Sequence, residues 1–185
     1  MMRTLLFIAG LMLLSSLASA VAAGPSPVLQ VRDASALQVG AVEYVLGKPM
    51  ASFDDAAGAQ WPWQPLTKPT LGKQPDGAWL RISLHNSAAH ARLWYLLLKW
   101  PVLDRVAVRL HYPDSDRWGT AMLAGDAVAM SARPLADHHF VYPLELPAGE
   151  RAVVYLQVQA RETLALPLEF AVLTGWPNQG VGRHN

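Results

Sequence analysis

The sequence predicts an all-β fold, an antiparallel β-sandwich or jelly roll, and three observations carry that prediction. Short segments alternate apolar and polar residues with a period of two, most cleanly over residues 78–85. The 14 Pro and 13 Gly are scattered along the chain and cut it into short pieces, which argues against long helices. Nothing with a helical period lies between the strand segments, so a parallel α/β fold is disfavoured.

Taken in order, residues 28–31 read as a first strand and 38–46 as a second, with Val42, Tyr44 and Leu46 on one face. Residues 50–58 carry Ser52, Asp54 and Asp55 among alanines and suit one short helical turn. The segment Trp61-Pro62-Trp63-Gln64-Pro65 cannot pair regularly and is expected to pack across a sheet or its edge. Asp76-Gly77 is a turn signal. In the strand that follows, Leu80, Ile82 and Leu84 alternate with Trp79, Arg81, Ser83 and His85. Residues 93–100 are apolar on both faces, as in a covered central strand. Residues 105–111 alternate again, Pro113-Asp114-Ser115-Asp116 turns the chain, and Trp118 starts a return strand. Residues 139–146 and 151–159, joined by Pro147-Ala148-Gly149-Glu150, read as a hairpin. Residues 166–172 form the last of about eight strands, with Leu166, Leu168, Phe170 and Val172 aligned.

Ahead of this domain, Met1-Met2-Arg3, the apolar run Leu5 to Leu14 and the small residues around Ala18-Ser19-Ala20 give the order of a secretory signal peptide over residues 1–22. The run is shorter than the roughly 20 apolar residues a membrane span needs. The chain has no cysteine, so neither disulfides nor a Cys-linked lipid is available. Residues 23–173 are long enough to bury one core without them, and a bacterial periplasm is the expected compartment. The formal net charge is +1 with no basic block, which excludes nucleic acid as an expected partner. Residues 174–185 are polar and Gly-rich and are expected to be disordered.

Several landmarks recur in a recognisable order. They are Trp63-Gln64-Pro65-Leu66, Leu71-Gly72, Trp79-Leu80-Arg81 with Asn86, and Trp94-Tyr95-Leu96. Pro101-Val102-Leu103-Asp104, Gly125-Asp126, Arg133-Pro134 and Phe140-Val141-Tyr142-Pro143-Leu144 follow. Over about residues 28–173 the chain resembles the second type of extracellular domain of bacterial seven-transmembrane receptors with diverse intracellular signalling modules. The resemblance implies a periplasmic sensor domain with a jelly-roll, galactose-binding-like fold. It also implies a carbohydrate or similar small ligand and a membrane-bound signalling partner. The chain ends at Asn185 without membrane helices or an output module, so a truncated receptor or a free-standing version is expected.

For ligand binding the candidates are Trp79 and Arg81 on one strand face, with Asn86, Arg133 and His139. An aromatic ring stacks on the apolar face of a sugar, and charged or amide groups take its hydroxyls. The same tryptophan and arginine would equally serve packing beneath Trp61-Pro62-Trp63, the commoner use of a large aromatic. Asp137-His138-His139 is dense in polar groups. Adjacent histidines of a strand face opposite ways, though, and no HxH or HExxH spacing exists, so no metal is expected. There is no GxSxG, phosphate loop or dinucleotide fingerprint. No catalytic residue and no cofactor are assigned. A stand-alone carbohydrate-binding or protein-docking sandwich is the alternative to a receptor sensor.

Overall fold

A computed structural model describes residues 29–31 and 36–172; the expected leader and tail lie outside these residues. The chain runs through β1 (Leu29–Val31), β2 (Leu37–Leu46), helix α1 (Phe53–Gly58), β3 (Gln64–Pro65), β4 (Thr70–Lys73) and β5 (Ala78–Asn86). It continues through β6 (Arg92–Leu98), β7 (Arg105–Tyr112), β8 (Arg117–Trp118) and β9 (Met122–Ala124). Strands β10 (Phe140–Leu146), β11 (Arg151–Gln159), β12 (Thr163–Ala165) and β13 (Leu168–Ala171) complete it.

These strands form two layers. The larger sheet has the order β3-β2-β5-β11-β7-β8, with β9 also pairing β7; the smaller has the order β1-β13-β6-β10. Pairing is antiparallel except between β1 and β13, and β4 pairs β12 apart from both sheets. The fold is therefore an all-β sandwich. Alternation explains the core. On β5, Leu80, Ile82 and Leu84 face inward with Val154, Leu156, Val106 and Val108 of the neighbouring strands. They meet Trp94, Leu96, Phe140, Tyr142 and Phe170 of the small sheet in one cluster. Each such side chain, fully buried, is worth about 1.5–3 kcal/mol. Two tyrosines tie the layers reciprocally. Tyr142 of β10 donates to the Val106 carbonyl of β7 at 3.2 Å, and Tyr112 of β7 donates to the Glu145 carbonyl of β10 at 2.6 Å. Burial pushes both phenols above their ordinary range, so both stay protonated donors.

The expected hairpin between residues 139–146 and 151–159 is not formed. β10 pairs β6 in the small sheet, whereas β11 lies between β5 and β7 in the large one. Val154, Leu156 and Val158 are buried on one face and Tyr155 and Gln157 on the other, so β11 needs strand neighbours on both sides. The four-residue connection instead carries the chain from one layer to the other. It is pinned at the end of β5, where Gly149 N–H donates to the Asn86 carbonyl and Asn86 N–H to that of Glu150. Gly125, at φ 145°, lets the loop after β9 run against the start of β7; a Cβ there would lie 2.2 Å from the Asp104 oxygen.

The short helix expected within 50–58 is α1. Ser52 caps it: Ser52 Oγ accepts from Asp55 N–H at 3.1 Å, and the Asp55 carboxylate accepts from Ser52 N–H at 2.8 Å. Those hydrogen bonds from the Ser52 backbone and hydroxyl hold the Asp55 carboxyl below its ordinary value of 3.8. A depressed carboxyl stabilises the fold above that value, and the contribution is lost as pH falls through the folded-state value. Acidification below about pH 4 is therefore expected to loosen α1. Because Phe53 packs on Trp79, tryptophan fluorescence during an acid titration reports it. Ser52→Ala, which removes a cap ordinarily worth about 1 kcal/mol, should move that transition to higher pH. A transition left where the wild type has it would rule the cap out as its cause.

Candidate functional site

The outward face of the large sheet is divided into two halves. Near the start of β5 it is roofed by aromatics. Trp79 lies 5.2 Å from Phe53 of α1 and 5.7 Å from Trp61, centroid to centroid. Trp63, 5.6 Å from Trp61, reaches Tyr155, which in turn meets Trp118 at 5.7 Å. The Pro-interrupted segment expected to cross a sheet does so here, although two of its residues do pair: Gln64–Pro65 forms the edge strand β3 beside β2, and the two tryptophans fold over the face.

Toward the far end of β5 the roof stops and a cavity of about 480 Å³ opens. Gln38 and Gly40 of β2, Ser83 and His85 of β5, and Arg151 and Val153 of β11 line it, with Pro113 at the side. The volume falls in the range of small-molecule pockets, roughly 300–1,000 Å³. A β-bulge shapes its floor. Val39 pairs Leu84 but Val42 pairs Ile82, so β2 carries one extra residue around Gly40. A Cβ on Gly40 would sit 3.3 Å from both Cβ and O of Ser83, and a side chain there would crowd the floor.

The polar groups are mutually oriented. His85 Nδ1 and Gln38 Oε1 are 3.1 Å apart, which leaves the imidazole Nε2 and the Gln38 amide nitrogen for a ligand. Arg151 Nε donates to Asp114 Oδ2 at 3.1 Å, and its Nη2 donates to Asp114 Oδ1. These hydrogen bonds hold the Asp114 carboxyl below its usual range and raise Arg151. The pair is exposed, so a ligand oxygen can recruit the guanidinium at little cost. On the adjoining strands, the half-buried Trp118 ring lies 4.5 Å from His111, which pairs Val153. The array offers donors and acceptors over a small floor. That suits a polar, hydroxyl-bearing molecule.

The residues expected to bind from sequence do not converge. Trp79 and Arg81 do share the outward face, but Trp79 is 1% exposed and its Nε1 donates to the Lys48 carbonyl at 3.0 Å. It is the floor of the aromatic roof and presents no ring to solvent. Arg81 donates to Glu43 at 2.7 Å and lies 4.6 Å from the Trp63 ring, bracing the same roof. Asn86 points inward and is fully buried, bonding carbonyls of the crossover. Arg133 donates to the Gly125 and Asp137 carbonyls, past the β9 edge. His139 lies beside Asp137 in the same region. Trp79 is level with Gln157, then Ala107, then Leu123 of β9, so this region is three strands, about 14 Å, from Trp79 at ordinary strand spacing.

The strand geometry that would part His138 from His139 is not formed. His138 and His139 lie in a bend before β10, outside any strand, so alternation does not govern them. Their rings come together, with centroids 4.6 Å apart.

Sequence reasoning missed Gln38, Gly40, Ser83, His85 and Arg151 as site residues. Gly40, a glycine interrupting an alternating strand, is the signal that marks a bulge and a close backbone approach.

A family model described as 7TMR-DISM extracellular 2 matches residues 45–171. No curated protein matches the chain.

Proposed function

The chain belongs to the 7TMR-DISM extracellular 2 family, and from that premise we propose that it recognises a small hydroxyl-rich ligand, a carbohydrate first, in the cavity of Gln38, Ser83, His85 and Arg151. The family is one of extracellular sensor domains of membrane receptors. We further propose export to the periplasm behind a cleaved leader and action through a membrane-bound signalling protein.

One observation carries the choice of site. The outward face is sealed by aromatics over one half and open over the other, and the open half gathers an amide, a hydroxyl, an imidazole and a guanidinium around the bulge at Gly40. Hydroxyl groups both donate and accept, and this set offers both.

A thermal-shift panel of monosaccharides, oligosaccharides, amino acids and organic acids tests the reading. At a concentration 100 times Kd a ligand should add about 2.7 kcal/mol to stability, a rise of several degrees. Ser83→Trp should fill the cavity and abolish the shift while leaving the ligand-free melting temperature nearly unchanged, because Ser83 is exposed. Arg151→Ala should weaken binding roughly ten- to a hundredfold, since hydrogen bonds to charged groups contribute about 1.5–3 kcal/mol. Binding that survives Ser83→Trp at full strength would move the ligand elsewhere. A panel with no shift at all would remove the proposal.

A further inference from the structure

The bend before β10 brings together three side chains that neither the family nor the cavity accounts for. One ligand atom each from Asp137, His138 and His139 lies within 4.8 Å of the other two. We propose that these residues form a site for a divalent transition-metal ion, zinc before others.

The geometry supports this ion class. His139 Nδ1 is 3.4 Å and His138 Nδ1 3.8 Å from the same Asp137 oxygen. Zinc binds nitrogen and carboxylate oxygen at about 2.0–2.2 Å in a tetrahedron, which places ligand atoms about 3.4 Å apart. Two of the separations are already near that edge length. The remaining gap closes by rotation of His138, whose side chain is 86% exposed. The donor set, two imidazoles and one carboxylate, is of the borderline kind that zinc takes and magnesium or calcium does not.

The carboxylate is held in place before any ion arrives. Its Oδ1 accepts from the His139 backbone N–H at 2.7 Å, and Arg133 donates to the Asp137 carbonyl at 3.3 Å. Arg133 also donates to the Gly125 carbonyl at 2.9 Å and lies over the Phe140 ring, which fastens the bend to the sandwich. The guanidinium is thus directed at backbone oxygens, leaving the carboxylate to the ion. A fourth position, open to solvent beside His138, is available to water or to an exogenous ligand.

This site is separate from the cavity. Gly125 follows Ala124, which is level with Val106 of β7, whereas the cavity lies level with His111. Five strand residues, about 17 Å, part the two. The proposal therefore does not rest on the ligand reading, and either can fail alone.

Isothermal titration of the full chain with zinc chloride tests it. One saturable site per chain is expected, with affinity falling at least tenfold in both His138→Ala and His139→Ala and unchanged in His90→Ala. Cobalt substitution should give the intense visible bands of a four-coordinate ion in the wild type and lose them in His139→Ala. Circular dichroism of both variants should match the wild type, because neither imidazole is buried. No saturable binding, or wild-type affinity in both histidine variants, would overturn the site.

Discussion

Trp79→Ala is expected to lower the melting temperature by roughly 10–15 °C, the largest effect of any single change considered. The indole is 1% exposed, packs on Phe53 and Trp61, and donates to the Lys48 carbonyl. Removing a buried Trp or Phe side chain typically costs about 3–5 kcal/mol through lost transfer energy and the cavity left behind. For a domain of this size each kcal/mol moves the melting temperature by about 2–4 °C. The cavity would lie beneath α1 and the Trp61–Trp63 segment, so both should loosen together, and near-ultraviolet circular dichroism of the aromatic cluster should weaken. Trp79→Phe keeps most of the packing and loses only the hydrogen bond, so it should cost about 1–2 kcal/mol. Calorimetry of the two variants separates packing from recognition. A Trp79→Ala protein of wild-type stability that has lost its ligand would return Trp79 to the role of a stacking platform.

Asn86→Ala should cost about 3 kcal/mol and lower the melting temperature by about 10 °C. Its amide nitrogen donates to the carbonyls of Leu146 at 2.9 Å and Pro147 at 3.0 Å, with His90 O at 3.2 Å, and its oxygen accepts from Ala88 N–H at 3.1 Å. Alanine leaves these backbone groups without the Asn86 amide, the Leu146 carbonyl among them buried, and each buried unsatisfied group costs about 1–3 kcal/mol. Asn86→Asp is the sharper test. It keeps the shape but turns the donor toward the carbonyl oxygens into a second acceptor, so it should destabilise at least as much. Thermal unfolding followed by far-ultraviolet circular dichroism checks both. Normal stability in Asn86→Asp would mean that the amide does not hold the crossover.

Local pattern was legible where a strand has two unlike faces. Over residues 78–85 the period of two separates Leu80, Ile82 and Leu84 from Trp79, Arg81, Ser83 and His85, and the sandwich keeps that division. Carried one residue further, the same parity assigns Asn86 to the inner face, which marks a structural amide. The capped turn at Ser52 was equally local, because its hydrogen bonds span three residues. Strands β3, β4, β9 and β12 have two to four residues each, too few to show a period.

Partnership was another matter. Residues 139–146 and 151–159 have the pattern and the short connection of a hairpin, yet they belong to different layers, because β11 had two better neighbours in β5 and β7. The candidate site follows the same division. The chemistry of Trp79 and Arg81 was readable, but not that Phe53 and Trp61 would cover the ring. His138 and His139 were adjacent in sequence from the start; that they turn toward one carboxylate depends on a bend braced by Arg133.

The amino-acid order alone determined an all-β chain, the inward face of its main strands and a capped turn, since these depend on alternation and on contacts a few residues apart. Only the packed layers decided which strands pair, that Trp79 is roofed while Ser83 is open, and where the bulge at Gly40 leaves a cavity. Exposure belongs to whatever lies across a face, and here that covering comes from segments distant in the chain.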